Sequence, residues 1–172
     1  MDTSLVYDLI FNWLRFEDKT IKGPNSNKGI FFMPELHFVF EVGKLLKIFE
    51  LEVFGKPVEW LREQSFDNSG PIDLLFRDEE TEEYIIFEFK IATTWHAYFK
   101  DIEKLKTLKD LNMSKIKSKY FIALTDVFSS QLQNDPRVQK LKKKGIEIHE
   151  SLKSFEIDKK ISALLFLCKV VQ

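Results

Sequence analysis

Two apolar segments near the middle of the chain carry the residues whose types and spacing best suit chemistry. Asp73 precedes the run Leu-Leu-Phe, and Glu88 and Lys90 stand two residues apart in the run Tyr-Ile-Ile-Phe-Glu-Phe-Lys-Ile. Because successive side chains of a strand point to opposite faces, Glu88 and Lys90 project from one face, and Phe87 and Phe89 from the other. Burying a charge is costly unless the charge is paired or bound to a metal, so this pattern indicates a functional site.

The two carboxylates are ligands of the kind that hard divalent cations prefer. Mg2+ binds oxygen at about 2.0–2.1 Å and keeps several waters, so Asp73 and Glu88 are enough to hold it, and Mn2+ could replace it. Lys90 could hydrogen-bond an attacking water or an anionic oxygen, and the backbone carbonyl of Phe89 is a further candidate ligand. A zinc site is not indicated, because Cys168 is the only cysteine and the three histidines are far apart in the sequence.

Each of these residues also has a structural interpretation. Glu88 and Lys90 could form an ion pair on an exposed strand face, and Asp73 could stabilise a turn at Gly70 and Pro71. The apolar residues around Glu88 favour a strand that is buried on both faces, and a turn aspartate rarely stands directly before Leu-Leu-Phe. The sequence therefore favours the functional interpretation of all three residues.

The elements that must position these residues follow from the spacing of the apolar side chains. Helical periodicity predicts helices over residues 4–16, 35–49, 95–111, 136–144 and 158–171. Strands are predicted over residues 73–76, 84–91, 120–125 and 146–149, and residues 58–66 form either a strand or a short helix. This order predicts an α/β fold in which helices cover both faces of a mixed central β-sheet.

Length and composition are typical of one globular domain. The 172 residues can bury a sizeable core as a single domain over residues 1–172. A lone cysteine fits a reducing cytoplasm, and no signal-like segment or apolar run of membrane-spanning length is evident, so we expect a cytoplasmic protein without a membrane partner. Residues 100–144 hold 12 Lys and Arg against 5 Asp and Glu. This excess could bind nucleic acid or form the solvated face of a helix.

The order of elements and a short residue signature resemble the PD-(D/E)xK nuclease superfamily, whose members share the restriction-endonuclease-like fold. The agreement in element order extends over about residues 30–150. The residues that carry the resemblance are Glu35 on an early helix, Asp73 on one strand and Glu88-Phe89-Lys90 on the next. One departure is that Ile72, and not proline, precedes Asp73, with Pro71 one place earlier.

The resemblance implies a Mg2+-dependent nuclease that hydrolyses phosphodiester bonds in DNA. It implies that Asp73 and Glu88 bind the metal, that Lys90 positions or activates the attacking water, and that Glu35 supports the metal site. Glu41 on the same helix is the alternative to Glu35. We favour Glu35 because it shares a helix face with the apolar residues that should meet the sheet.

DNA is the expected partner of this chain. Lys100 and Lys104, on the outer side of the predicted helix 95–111, are the candidate contacts to its phosphates. His96 could also touch a phosphate, but packing against its aromatic neighbours explains it more simply. The alternative to an active nuclease is a catalytically inactive DNA-binding or protein-interaction module of a defence or mobile-element system. Either protein could act as a homodimer or as a subunit of a larger complex.

Overall fold

The computed structural model describes residues 1–22, 29–65, 70–91, 94–108, 115–149 and 152–171, without the side chains of Glu63 and Ser65. The helices are α1 (Thr3–Ile21), α2 (Glu35–Ile48), α3 (Glu50–Phe54), α4 (Trp95–Thr107) and α5 (Pro136–Lys143). The strands are β1 (Val58–Ser65), β2 (Pro71–Asp78), β3 (Tyr84–Ile91), β4 (Ile116–Phe128), β5 (Glu147–Ile148), β6 (Lys153–Glu156) and β7 (Ile161–Val170). Short 3-10 helices occupy Ile30–Phe32 and Ser129–Asn134.

The strands of the described residues form one seven-stranded mixed sheet. Their order across the sheet is β1-β2-β3-β4-β7-β5, and β6 also pairs with β7. β3 and β4 run parallel and are connected through α4, whereas the other pairs are antiparallel. The prediction of an α/β fold with a mixed central sheet is therefore confirmed.

Helices cover both faces of this sheet, as predicted. α1, α2 and α3 pack on one face, and α4 and α5 pack on the other. The alternation expected for β3 is present, because Phe87 and Phe89 belong to the core under α1 and α2, whereas Ile86 belongs to the core under α4. Glu88 lies between the two phenylalanines in sequence and so faces α4.

Local chemistry sets where α2 and α5 begin. Pro34 immediately precedes α2, and its fixed φ suits a helix start, so Glu35 lies in the first helical turn. α5 begins at Pro136 after the N-cap Asp135, whose carboxylate accepts hydrogen bonds from the backbone N–H groups of Arg137 and Val138. Both helix starts agree with the sequence prediction.

The helix predicted over residues 158–171 is wrong, because this segment forms strand β7. Residues 162–168 are all buried, and β7 pairs with β4 from Lys119↔Val170 to Phe128↔Ile161. A helix in a domain of this size needs a polar face toward water, but a strand inside a sheet that is covered on both faces does not. The unbroken apolar run should therefore have favoured a central strand.

Several other boundaries differ from the prediction. α1 continues beyond residue 16, and β4 extends beyond residues 120–125 at both ends. Of the segment 58–66, residues 58–65 form the strand β1, and residue 66 lies outside the described residues. α4 ends at Thr107 instead of residue 111, and residues 109–111 lie outside the described residues. α3 and β6 were not predicted. None of the helices in the described part of the chain has both the length and the apolar character that crossing a membrane requires.

The packing of α2 against β1 depends on a glycine. A Cβ atom at Gly43 would lie 2.4 Å from the indole ring of Trp60. We expect Gly43→Ala to destabilise the protein by about 1–3 kcal/mol because of this clash, although alanine favours helices over glycine by about 1 kcal/mol. Urea unfolding would measure the change, with Lys44→Ala at the neighbouring exposed position as the control. Equal or greater stability of Gly43→Ala would contradict the close packing.

Candidate active site

The β2–β3 ladder ends beside the residues singled out by the sequence. Strand pairing extends as far as Leu74↔Phe87, and one further step in the same register would set Asp73 opposite Glu88. Instead, the backbone N–H of Phe89 donates a hydrogen bond of 2.8 Å to Asp73 Oδ2. A side-chain carboxylate thus replaces the carbonyl that a partner strand would have supplied.

Glu35 also accepts a hydrogen bond from a backbone N–H group of β3, two residues further along the strand. Its Oε2 accepts a hydrogen bond of 3.0 Å from the backbone N–H of Ile91, and its Oε1 accepts one of 3.0 Å from Lys90 Nζ. Glu41, the alternative to Glu35, forms an ion pair of 2.7 Å with Lys44. Of the two glutamates, Glu35 is therefore the one in contact with Lys90.

Asp73 and Glu88 form a pair of carboxyl groups in which Glu88 is buried and Asp73 is half-buried. The Glu88 side chain is only 3% exposed. Burial raises the pKa of Glu88 to about 8, the negative charge of Asp73 acts in the same direction, and Lys104 opposes it. Burial also raises the pKa of Asp73, against the hydrogen bond from Phe89 N–H and the charge of Lys90. Both carboxyl groups therefore resist ionising, and a further positive charge beside them would stabilise their ionised forms.

Lys90 is held by two acidic side chains from different helices. Its Nζ lies 3.0 Å from Glu35 Oε1 on α2 and 3.4 Å from Asp101 Oδ2 on α4. Burial alone would lower the pKa of Lys90, but the hydrogen bond with Glu35 and the charges of Asp101, Glu35 and Asp73 raise it above its ordinary value. Lys90 therefore carries a proton at neutral pH and is suited to donate hydrogen bonds, not to accept a proton.

Asp101 was missed by the sequence analysis, although a signal for it existed. Tyr98, Ile102 and Leu105 form the buried stripe of α4, and Asp101 stands three residues after Tyr98 and four before Leu105. A carboxylate at that spacing lies beside the buried face of the helix. Its side chain is 15% exposed, and among the described residues Oδ2 has no hydrogen-bond partner besides its ion pair with Lys90.

Lys104 does not lie on the outer side of α4, so that part of its prediction is wrong. Its Nζ donates one hydrogen bond of 2.6 Å to Glu88 Oε1 and another of 2.6 Å to the carbonyl oxygen of Pro71. A long lysine side chain can fold back along a helix surface, and here the ammonium group reaches the buried carboxyl group of Glu88. Lys100, by contrast, is exposed as expected.

His96 lies at the start of α4 and not in the carboxylate cluster. Its ring centroid is 3.9 Å from that of Trp95, and the residue is exposed. This contact agrees with the packing interpretation of His96.

Asp73 and Glu88 offer carboxylate oxygens to a metal ion. Within the described residues, no group of three or more His, Cys, Asp and Glu side chains is arranged to hold a metal ion. Mg2+ is commonly bound by one or two carboxylates and several waters, so a site of this kind needs no third side chain. The hard oxygens of Asp73 and Glu88 suit such a cation. Both carboxyl groups have raised pKa values, so a positive charge between them would stabilise their ionised forms. They do not fit a metal enclosed by four protein ligands.

The raised pKa of Glu88 leads to a prediction about stability without divalent cations. Stability that depends on protonated Glu88 is fully present below its unfolded-state pKa of about 4.3 and is lost as the pH rises through its folded-state pKa of about 8. We therefore expect the free energy of unfolding in chelator to fall between about pH 5 and pH 9. Glu88→Gln should lose much of this dependence. Urea unfolding of the wild type and Glu88→Gln across that range would measure the two pH dependences. An equal pH dependence of the two proteins would contradict the assignment of the raised pKa to Glu88.

Comparison with known proteins gives no match for this chain. No protein-family model, no curated protein and no solved structure matches it.

Proposed function

We propose that this chain is a Mg2+-dependent nuclease of the PD-(D/E)xK superfamily, with the restriction-endonuclease-like fold, that hydrolyses phosphodiester bonds in DNA. The observation that carries the proposal is the meeting of Asp73, Glu88 and Lys90 where β2 and β3 separate. Two carboxyl groups and an ammonium group from adjacent strands share one partly buried cluster there. Glu35 joins them through its hydrogen bond with Lys90.

The proposed roles follow from the contacts of each side chain. Asp73 and Glu88 would hold the Mg2+ ion, for which Mn2+ could substitute. When bound, the ion would neutralise charge on the phosphate oxygens and lower the pKa of a bound water. Lys90, fixed by Glu35 and Asp101, could donate a hydrogen bond to that water or to a phosphate oxygen. Because these residues are held in place before substrate binds, little reorganisation would be needed during the reaction.

Access to the proposed site would be from the side of Glu35. Its side chain is 36% exposed and that of Lys90 is 22% exposed, whereas Glu88 is almost fully covered. A phosphate that approached along Glu35 would meet Lys90 first. The carboxyl pair would lie behind the ammonium group, where water is less able to screen its interaction with a cation.

The proposed DNA contacts lie on the helices of one face. α4 and α5 pack on the same side of the sheet and expose lysines at Lys100, Lys142 and Lys143. Other lysines of the basic segment are already paired, such as Lys106 with Glu103. Contacts between lysines and phosphates would hold DNA without reading its sequence.

One observation favours the alternative of an inactive module. Asp73 and Glu35 already satisfy backbone N–H groups, and Lys104 already pairs with Glu88. The cluster could therefore be stable without a metal, as in a nuclease-fold protein that binds DNA or another protein without cutting. Cleavage and metal binding separate the two proposals.

The cleavage prediction concerns Lys90. With Mg2+ and supercoiled, linear or branched DNA, we expect Lys90→Ala to cut about 10²–10³-fold more slowly than the wild type, because a donor to the reacting phosphate is lost. Lys117→Ala, an exposed lysine paired with Glu83, is the matched control and should cut normally. Equal cutting by wild type and Lys90→Ala would indicate a contaminating nuclease or a wrongly assigned site.

The metal-binding prediction concerns Asp73. Asp73→Asn keeps an oxygen that can accept the Phe89 N–H but loses the negative charge. We expect it to weaken Mn2+ binding, followed by electron paramagnetic resonance, by about tenfold or more. Glu41→Gln, outside the cluster, should bind Mn2+ like the wild type. An inactive module without a cation site would show no difference between Asp73→Asn and the wild type.

A further inference from the structure

The ammonium group of Lys104 lies against the more buried member of the carboxyl pair, Glu88. Its ammonium group contacts Glu88 Oε1 at 2.6 Å, and its side chain is 20% exposed. Glu88 is the more deeply buried of the two carboxyl groups, and the positive charge of Lys104 lowers its pKa. The positive charge of this ammonium group stabilises the ionised form of Glu88, as the charge of a bound metal ion would.

A divalent cation on Glu88 and the ammonium group of Lys104 would compete for the same carboxylate. A cation that took Glu88 Oε1 would displace the hydrogen bond of Lys104 and place two positive charges side by side. Lys104 has another acceptor within reach, because the carbonyl oxygen of Pro71 also lies 2.6 Å from Nζ. Its flexible four-carbon stem allows it to leave Glu88 while keeping a partner.

We propose that Lys104 is a built-in competitor of the divalent cation at Glu88. This inference rests on the proposed function, since it assumes that Asp73 and Glu88 hold the cation. Without the cation, Lys104 holds the Glu88 side chain in position through its hydrogen bond to Oε1. When the cation binds, Lys104 gives up Glu88 and its ammonium group becomes available to a phosphate oxygen. Lys104 thereby lowers the affinity for the cation and links cation binding to the release of a positive group beside the site.

Two lysines on α4 provide a matched test. Lys104→Met removes the charge and the bond to Glu88, whereas Lys100→Met removes the same charge four residues earlier, from an exposed position. We expect Lys104→Met to bind Mn2+ about tenfold more tightly than the wild type, because the cation no longer displaces a charge-assisted hydrogen bond. Lys100→Met should stay within about twofold of the wild type, since exposed charges are screened. Isothermal titration calorimetry would measure all three affinities.

A measurement on the wild type covers the case in which Lys104→Met does not fold. Reductive methylation of lysines, followed by peptide mass spectrometry, reports how accessible each ammonium group is. We expect Mg2+ to speed the methylation of Lys104 and to leave Lys100 unchanged. Unchanged methylation of Lys104 in saturating Mg2+ would overturn the proposal.

The outcomes separate this inference from the function on which it rests. Equal Mn2+ affinity for Lys104→Met and Lys100→Met would overturn the competitor role and leave the cation site intact. Failure of the wild type and both variants to bind Mn2+ would overturn the cation site, and the nuclease proposal with it. Tighter binding by Lys104→Met alone would support the competitor role.

Discussion

The end of the β2–β3 ladder is the constraint on which the candidate site depends. A buried backbone N–H that loses its partner costs about 1–3 kcal/mol, so the donors that β3 presents beyond the ladder need acceptors. Asp73 and Glu35 supply them, to Phe89 and Ile91 respectively. The same hydrogen bonds fix the carboxylates within reach of Lys90. The geometry of the cluster is therefore a consequence of how the sheet ends and does not require a ligand to form it.

The cluster has more negative than positive groups. Four carboxyl groups and two ammonium groups meet there among the described residues, namely Glu35, Asp73, Glu88, Asp101, Lys90 and Lys104. A buried excess of negative charge is unfavourable, and the protein can relieve it by keeping a proton on Glu88 or by binding a cation. With a proton on Glu88 the cluster is stable as a structural feature, and with a bound cation the same cluster could serve the proposed metal-dependent function.

The sequence predicted the features of the site that depend on alternation along a strand. Glu88 lies on the face of β3 opposite Phe89, as expected from period two. Asp101 was missed although helical spacing places it beside Tyr98, and Lys104 was misplaced because spacing does not determine the direction of a long, flexible side chain. The apolar run within residues 158–171 leaves no polar helical face and is the sequence signal for β7, whereas the pairing of β7 with β4 is not visible in the sequence.

We propose that a divalent cation binds where β2 separates from β3. Anomalous diffraction from crystals soaked in Mn2+ would show whether it does, because the anomalous signal locates the metal itself. We expect one peak within bonding distance of carboxylate oxygens of both Asp73 and Glu88, accompanied by movement of Lys104 away from Glu88. A map with no peak at this pair, at Mn2+ concentrations that saturate binding in solution, would contradict it.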